Sequence, residues 1–478
     1  MAERTSRPGR RAAGRPARPT RPERRRAPVD PARLVALDLL RAVAEQDAYA
    51  NLVLPRLITE RGLTGRDAAL ATELGYGTLR SLGTVDGVLA RCIDRDLADV
   101  EPVVLDILRL GAYQALRTRI PPHAAVATTV DLAHAAGSGR AGGFVNAVLR
   151  RVTDRDWPGW TDELAAGVEP LAALAVRTAH PEWIAGAFAA ALGEDAGGPL
   201  TETAAALAAD DERPVTHLVA WPGRSERTEL LVADDGAVHG SVGPYSPYAV
   251  RLAAGDPGRL PAVRERRAGV QDEGSQLCAL ALAAAPVDGP DERWLDACAG
   301  PGGKAALLAA VAAGRGAQLH ANERREHRAQ LVRRVTEPWG VTVTVGDARE
   351  LAPPDGVPGY DRVLVDAPCT GLGALRRRPE ARWRRRGDDV AELAALQRAL
   401  LAAALRVTRP GGVVAYVTCS PHPAETSAVV AAFAAEHELL DARPFFPDVP
   451  DLGAGPTVQL WPHRHGTDAM FCALLRAS

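Results

Sequence analysis

Leu34, Leu37, Leu40 and Val43 recur at three-residue steps behind Asp30 and Pro31, an N-cap residue and a proline at the first helical position, so a helix is predicted to begin there. Similar apolar periodicity marks Arg66–Arg80, Thr84–Ile93, Glu101–Leu116, His123–Ala136 and Gly143–Val152, and Gly, Pro and Asp punctuate the gaps. Residues 31–155 therefore read as an all-helical domain. Trp157-Pro158-Gly159-Trp160 reads as a connector, and Pro181–Leu192 and Leu200–Ala209 read as helices. The pattern then shortens to β-like runs broken by Gly and Pro at Val215–Trp221, Leu230–Val232 and Ala249–Leu252, which predicts a small α+β module over 165–268. In the catalytic candidate, 269–478, strand-like and helical runs alternate from Trp294 onward: Trp294–Ala297, Lys304–Ala313, Gln318–Ala321, Arg324–Val335, Val341–Val345, Arg362–Asp366, Val390–Val407 and Val413–Thr418. Alternation of this kind predicts a doubly wound α/β sheet, in which ligands bind beyond the carboxyl ends of the strands.

The 478 residues suffice for about three domains at ordinary domain sizes. With 46% hydrophobic and 24% charged residues, the chain has the balance of a globular protein. Its longest apolar stretch, Leu277–Val287, is interrupted by Pro286 and falls short of the roughly 20 residues that a membrane span needs. No apolar segment follows the charged amino terminus, so no secretory signal is read and the cytoplasm is the expected compartment. The six cysteines are scattered without a C-x-x-C pair, and free thiols with no metal site are expected. The formal net charge of −2 hides an asymmetry. Residues 1–30 hold ten arginines against Glu3, Glu23 and Asp30, a balance of +7 that leaves −9 for the rest. Five interspersed prolines disfavour a helix there, so a disordered basic arm suited to phosphate contact is expected. Lys304 is the one lysine in the chain.

That lysine closes Asp296-Ala297-Cys298-Ala299-Gly300-Pro301-Gly302-Gly303-Lys304, a glycine-rich turn between a predicted strand and a predicted helix. Its glycines permit close backbone approach and the helix start offers free N–H groups, but the spacing is not that of a P-loop. Glu323 falls just past the second strand, where a carboxylate can accept from ribose hydroxyls, and Asp347 follows the third strand, in reach of a base ring. Asp366-Ala367-Pro368-Cys369-Thr370-Gly371 and Thr418-Cys419-Ser420-Pro421 end later strands, bringing two thiols to the same edge of the sheet. One such cysteine is ordinarily a buried structural thiol; two facing a nucleoside-bearing cofactor point to nucleophilic chemistry. Arg376-Arg377-Arg378 and Arg382-Trp383-Arg384-Arg385-Arg386 follow closely, a basic run with an embedded aromatic that suits a phosphate backbone and a stacked base.

Together with Val270-Gln271-Asp272-Glu273-Gly274-Ser275-Gln276, these loops resemble those of S-adenosylmethionine-dependent RNA cytosine-5 methyltransferases, most closely the bacterial RsmB (Sun, Fmu) family acting on 16S ribosomal RNA. The runs Asp67–Arg80 and Phe144–Arg151 resemble the NusB-like helical RNA-binding domain of that family, and Leu460–His463 with Thr467–Phe471 match its carboxyl end. Gly300 and Thr370 are small departures from the usual CAAPGGK and PCS. Ala424-Glu425-Thr426 replaces a frequent Glu-Glu-Asn and leaves one acidic residue, so no role is carried over to that segment.

The resemblance implies a multidomain protein with an all-α NusB-like domain, a small α+β module and an α/β Rossmann-like methyltransferase domain. S-adenosyl-L-methionine would be the cofactor, held by Cys298, Ala299, Gly300, Pro301, Gly302, Gly303, Lys304, Glu323, Asp347 and Asp366. Carbon 5 of cytosine is a poor nucleophile until a thiolate adds to carbon 6. The resemblance makes Cys419 that nucleophile, Cys369 the thiol that releases product, and Asp366 the partner of the N3/N4 edge. DNA cytosine-5 methyltransferases use the proline-cysteine thiol instead, so motif order alone does not divide these roles. Arg376, Arg377, Arg378, Arg382, Trp383 and Arg384 are the expected RNA contacts, ribosomal RNA the expected partner, and a monomer the expected state. Two alternatives stay open: a non-catalytic RNA-binding protein with a vestigial methyltransferase domain, and an exocyclic-amine methyltransferase that needs no thiol.

Overall fold

The computed structural model describes residues 30–478 except 234, 235, 237, 354 and 355, so the basic arm at 1–29 lies outside the described residues. Asp30 accepts from the Ala32 N–H at 2.9 Å and starts the helix Pro31–Gln46. Gly65–Arg80, Leu82–Cys92, Pro102–Arg117, Pro122–Ala135 and Gly142–Val152 follow within two residues of expectation and close around one core that includes Leu39, Leu74, Leu89, Leu108 and Leu149. Ala50–Glu60 is an additional helix whose periodicity is interrupted by Pro55. Trp157-Pro158-Gly159-Trp160 is no connector but the first turn of the helix Trp157–Leu164. Asp156 caps it by accepting from the Gly159 N–H at 2.9 Å, and Pro158 falls in the first turn, where a missing N–H costs nothing.

Between these helices and the catalytic sheet, the expected α+β module divides. Its helices Pro170–Arg177, Glu182–Leu192 and Thr201–Asp211 share a core with Leu372, Leu375, Trp461 and Ala469 of the carboxyl half. Its strands β1 (Thr216–Ala220), β2 (His239–Val242), β3 (Ala249–Ala254) and β4 (Ala268–Val270) form an antiparallel sheet in the order β2-β3-β1-β4. The expected strand at 230–232 reduces to a single bridge, Val232 to His239, because Arg227–Leu230 coils into a 3-10 turn. Glu273 ties this sheet down: buried, it accepts from the N–H groups of Tyr245 (2.8 Å) and Ser246 (2.9 Å) and pairs with Arg251 at 2.8 Å.

The second sheet joins β5 (Arg293–Asp296), β6 (Gln318–Glu323), β7 (Thr342–Val345), β8 (Tyr360–Asp366), β9 (Thr408–Thr418), β10 (Glu438–Leu440), β11 (Val458–Gln459) and β12 (Phe471–Arg476). Its main order is β10-β12-β9-β8-β5-β6-β7, with β11 beside β12. The strands from β7 through β9 are parallel, and β12 runs antiparallel to β9. The connecting helices Gly303–Gly314 and Asp389–Val407 bury apolar side chains in separate clusters, one on each side of the sheet. The result is the Rossmann-like architecture, and the carboxyl ends of β5, β6, β8 and β9 present Asp296, Glu323, Asp366 and Cys419 along one edge. Among the described residues, no helix is long and apolar enough to cross a membrane.

Candidate active site

The glycine-rich turn after β5 is shaped by sterics that its sequence meets. Gly302 sits at φ 116°, and a Cβ there would come within 2.4 Å of Val335, so the helix Gly303–Gly314 starts from a backbone only glycine adopts without strain. A Cβ on Gly300 would lie 2.1 Å from a Glu323 oxygen, and its absence lets that carboxylate accept from the Gly300 N–H at 3.0 Å. The other Glu323 oxygen accepts from the Arg325 N–H at 2.9 Å, and the Arg328 side chain reaches the Gly300 carbonyl. Ala299 donates to the Asn322 carbonyl (2.9 Å), while the Asn322 amide donates to the carbonyls of Ala297 and Gly346, both at 3.1 Å. Asn322 thus ties the turn to the ends of β6 and β7, a role that its place beside Glu323 did not announce.

Beneath the turn lies a set of acids. Cys298 donates its N–H to Asp296 Oδ1 at 3.2 Å, and Asp296 Oδ2 is buried with no hydrogen-bond partner in the protein. Burial, reinforced by the Asp366 charge, pushes the Asp296 carboxyl up to about 8. Lys304 donates from Nζ to Asp366 Oδ2 at 2.9 Å. Burial disfavours the ammonium, but Asp366 outweighs it and raises the lysine above its ordinary range. Gln271 packs beside Gly303, and its Oε1 is likewise buried without a partner. S-adenosylmethionine carries an ammonium and a sulfonium, and the partnerless acceptors of Asp296 and Gln271, with Glu323 and Asp366 nearby in the same strand-end row, fit such a cation-rich molecule.

At the neighbouring strand ends the Sγ atoms of Cys369 and Cys419 are 3.5 Å apart. The Cys369 hydrogen bond holds the Cys419 thiol below its ordinary range against burial and the Asp366 charge, with help from Arg378 and Lys304. That same bond, with burial, pushes Cys369 up. The bond between the two thiols thus favours a thiolate at Cys419. Glu425 fixes the two loops. Buried behind them, it accepts from the Thr370 N–H (2.8 Å), the Thr370 hydroxyl, the Ser420 hydroxyl (2.6 Å) and the Gln397 amide (3.1 Å). The one acid left in the segment that departs from the family pattern is thus the brace of the thiol pocket. Its signal in the sequence was only its closeness to Cys419.

One expectation, the RNA-facing arginine run, is corrected, and Asp347 is found in a local pair. Asp347, expected near the base ring, caps the turn Ala348–Glu350 at the end of β7 and pairs with Arg349 at 2.5 Å, and that side-chain bond lowers it to about 2. Most of the arginine run is internal and not an RNA-facing surface. Arg376 and Arg377 pair with Asp468 at 3.0 and 2.9 Å, and Arg377 also pairs with Asp272 at 2.8 Å. Arg382 is fully buried, Trp383 donates to the Arg80 carbonyl at 3.1 Å, and Arg384 donates to the Ala48 carbonyl at 2.8 Å. Their charges are consumed by carboxylates and helix ends far away in sequence, which composition does not reveal. Arg378 and Arg386 are exposed, and Arg378 is close enough to the thiols to act on Cys419. Among the described residues, no group of three or more His, Cys, Asp or Glu is arranged to hold a metal ion.

The family described as 16S rRNA methyltransferase RsmB/F matches residues 281–476, and the NusB family matches residues 30–154. A Mycobacterium tuberculosis protein, Rv1407, named as a methyltransferase, is 56% identical over 457 residues, covering 95% of this chain and 98% of its own. The ribosomal RNA small subunit methyltransferase B of Klebsiella pneumoniae is 34% identical over 407 residues, covering 84% of this chain and 89% of its own. The crystal structure of PH0851 has the same fold, with a TM-score of 0.75 at 22% identity over 94% of this chain and 99% of that one.

Proposed function

The chain belongs to the RsmB/F family of S-adenosylmethionine-dependent rRNA methyltransferases, and from that premise we propose that it methylates carbon 5 of a cytosine in small-subunit ribosomal RNA through a covalent Cys419 adduct. The observation that carries this reading is the pair of thiols, 3.5 Å apart, at the edge where the acid row ends. Methylation of an exocyclic amine calls for no thiol, and a vestigial domain has no reason to keep two thiols poised and braced by Glu425.

When bound, S-adenosylmethionine supplies an electrophilic methyl group. Asp296, Gln271, Glu323 and the turn 298–304 would hold it, and Lys304 keeps Asp366 oriented at the end of β8. The target cytosine is unstacked into the pocket, which costs least in a loop of the RNA. Cys419 adds through its thiolate to carbon 6, and the electron pair displaced into the ring makes carbon 5 nucleophilic. Asp366 binds the N3/N4 edge in a site shielded from water, where such a contact acts strongly. Once Cys419 is bonded to carbon 6 it no longer holds the Cys369 proton in place; Cys369 gives that proton to solvent and, after carbon 5 has gained the methyl group, takes the carbon 5 proton as a thiolate. The S–C6 bond then breaks and its electrons return to Cys419. A raised thiol is the stronger base once ionised, which suits Cys369 to this second step. Arg378, exposed beside the pocket, takes a phosphate of the RNA.

Bisulfite mapping of 16S RNA from a strain lacking the gene tests this. One cytosine should lose its protection and regain it when the wild-type chain is restored, but not with Cys419→Ala. Labelled methyl groups on a purine or on an exocyclic amine, with no cytosine changed, would refute the reading.

A further inference from the structure

The segment that leaves β8 carries Cys369 into the thiol pocket and then runs on to Arg382, whose side chain is fully buried where separate parts of the chain meet. Its Nη1 donates to the carbonyls of Arg80 (3.2 Å) and Ala179 (2.9 Å), and its Nη2 donates to the carbonyl of Asp210 (3.1 Å). Arg80 is the last residue of the helix Gly65–Arg80, and Asp210 lies in the last turn of Thr201–Asp211. Ala179, in the left-handed region at φ 55°, follows the end of Pro170–Arg177. One guanidinium therefore closes the carboxyl ends of three helices, each of which presents unpaired carbonyls and partial negative charge. A flat fork of donors meets carbonyls from different directions at once, which a lysine ammonium on its single tip does not.

Neighbouring side chains deepen the joint. Trp383 donates to the same Arg80 carbonyl, and its ring lies against Gly83, where a Cβ would come within 2.2 Å of it. Arg384 pairs with Asp47 at 2.8 Å. Arg382 also lies 3.5 Å from Asp211, and the buried Asp210 carboxylate has no hydrogen-bond partner in the protein, so loss of the cation would leave two acids facing three helix ends. On the pocket side, Arg376 and Arg377 pin the same segment to Asp468 and Asp272. The segment is thus a strut, anchored at one end beside the thiols and at the other in the helical domain.

We propose that Arg382, with Trp383 as its wedge, is the positioning residue that fixes the NusB-like helical domain relative to the thiol pocket, so that RNA gripped by the helices presents its cytosine to Cys419. The proposal rests on the function proposed above for its consequence, although the lock itself does not. Two rigidly joined contact surfaces bind a long RNA as one unit, and the advantage vanishes when their spacing is no longer fixed.

The test uses full-length chain with Arg382→Met, Arg382→Lys and Trp383→Leu. Small-angle X-ray scattering reads the lock without any RNA: Arg382→Met should increase the maximum dimension while the far-ultraviolet circular dichroism keeps its helical signal. Methyl transfer is then measured on transcribed 16S RNA and on a short fragment bearing the unmodified target cytosine. On 16S RNA, Arg382→Met should raise KM about tenfold or more with kcat little changed. On the fragment, which is too short to engage both surfaces, neither parameter should move. Arg382→Lys should recover part of the KM, and Trp383→Leu, which keeps the cation, should show a smaller change of the same kind and decides the matter if Arg382→Met does not fold. Unchanged scattering, equal losses on both RNAs, or a loss confined to kcat would overturn the proposal. A wild-type chain that methylates no RNA would defeat the proposed function, while scattering would still decide the lock.

Discussion

Two stretches of the same segment, the thiol loop at 366–371 and the arginine run at 376–386, both look like chemistry in the sequence and part company in the structure. The thiol loop keeps its expected place: Asp366 meets Lys304, and Cys369 meets Cys419. The arginine run turns inward and becomes framework. The difference lies in what specifies each. A residue at the end of a strand is positioned by the alternation of strands and helices, which local pattern encodes. Whether an arginine faces solvent or a buried carboxylate depends on residues far along the chain, here Asp272, Asp468 and the helix ends at 80, 179 and 210.

The largest effect should come from the thiol loop. Cys419→Ala should reduce methylation to the assay background while leaving the melting temperature nearly unchanged, because the thiol is only half-buried and braces nothing. A mutant that keeps turnover would erase the distinction between the two stretches. The run should answer in stability instead. Arg377→Met strands Asp272 and Asp468 beside one remaining cation, and breaking a buried pair in this way costs about 3 kcal/mol by chemical denaturation. A loss within experimental error would mean that the inward arginines are not framework. Arg378, exposed beside the thiols, should behave as a surface contact. Arg378→Ala should weaken RNA binding and lower the logarithmic salt slope by about 1 with little change in stability.

A smaller effect sharpens the account of the acid row. Asp296 titrates near 8 in the folded chain and near its ordinary 3.8 when unfolded. Between those values the unfolded state has released a proton that the folded state retains, so this carboxyl makes stability fall as pH rises through the window. Without cofactor, Asp296→Asn should therefore gain stability over wild type as pH goes from 4 to 8, with the two converging at the acid end, and it should bind S-adenosylmethionine more weakly. A constant difference across that range would place the raised carboxyl elsewhere.

How much was legible follows the same line. The helices of the amino half, the parallel strands and the glycine-rich turn were readable because periodicity, N-caps and glycine act over a few residues. Asp156 turned an apparent connector into a helix start, and Pro55 disguised a helix, through cap and backbone effects that the hydrophobic pattern does not register. Glu425 was unreadable for another reason: its value lies in joining Thr370 to Ser420, a contact made only when β8 and β9 lie side by side. The Asp347 pair with Arg349, two residues on, was equally silent in the pattern.

The central claim is the division of labour between the two thiols, and the most direct test is to digest the denaturation-stable complex of the Cys369→Ala chain with RNA and locate the nucleotide-bearing peptide by mass spectrometry. The account predicts that Cys369→Ala accumulates such a complex, that the methylated cytosine is attached at Cys419, and that Cys419→Ala forms none. A stable complex with Cys419→Ala, linked through Cys369, would contradict it and reverse the roles of the two residues.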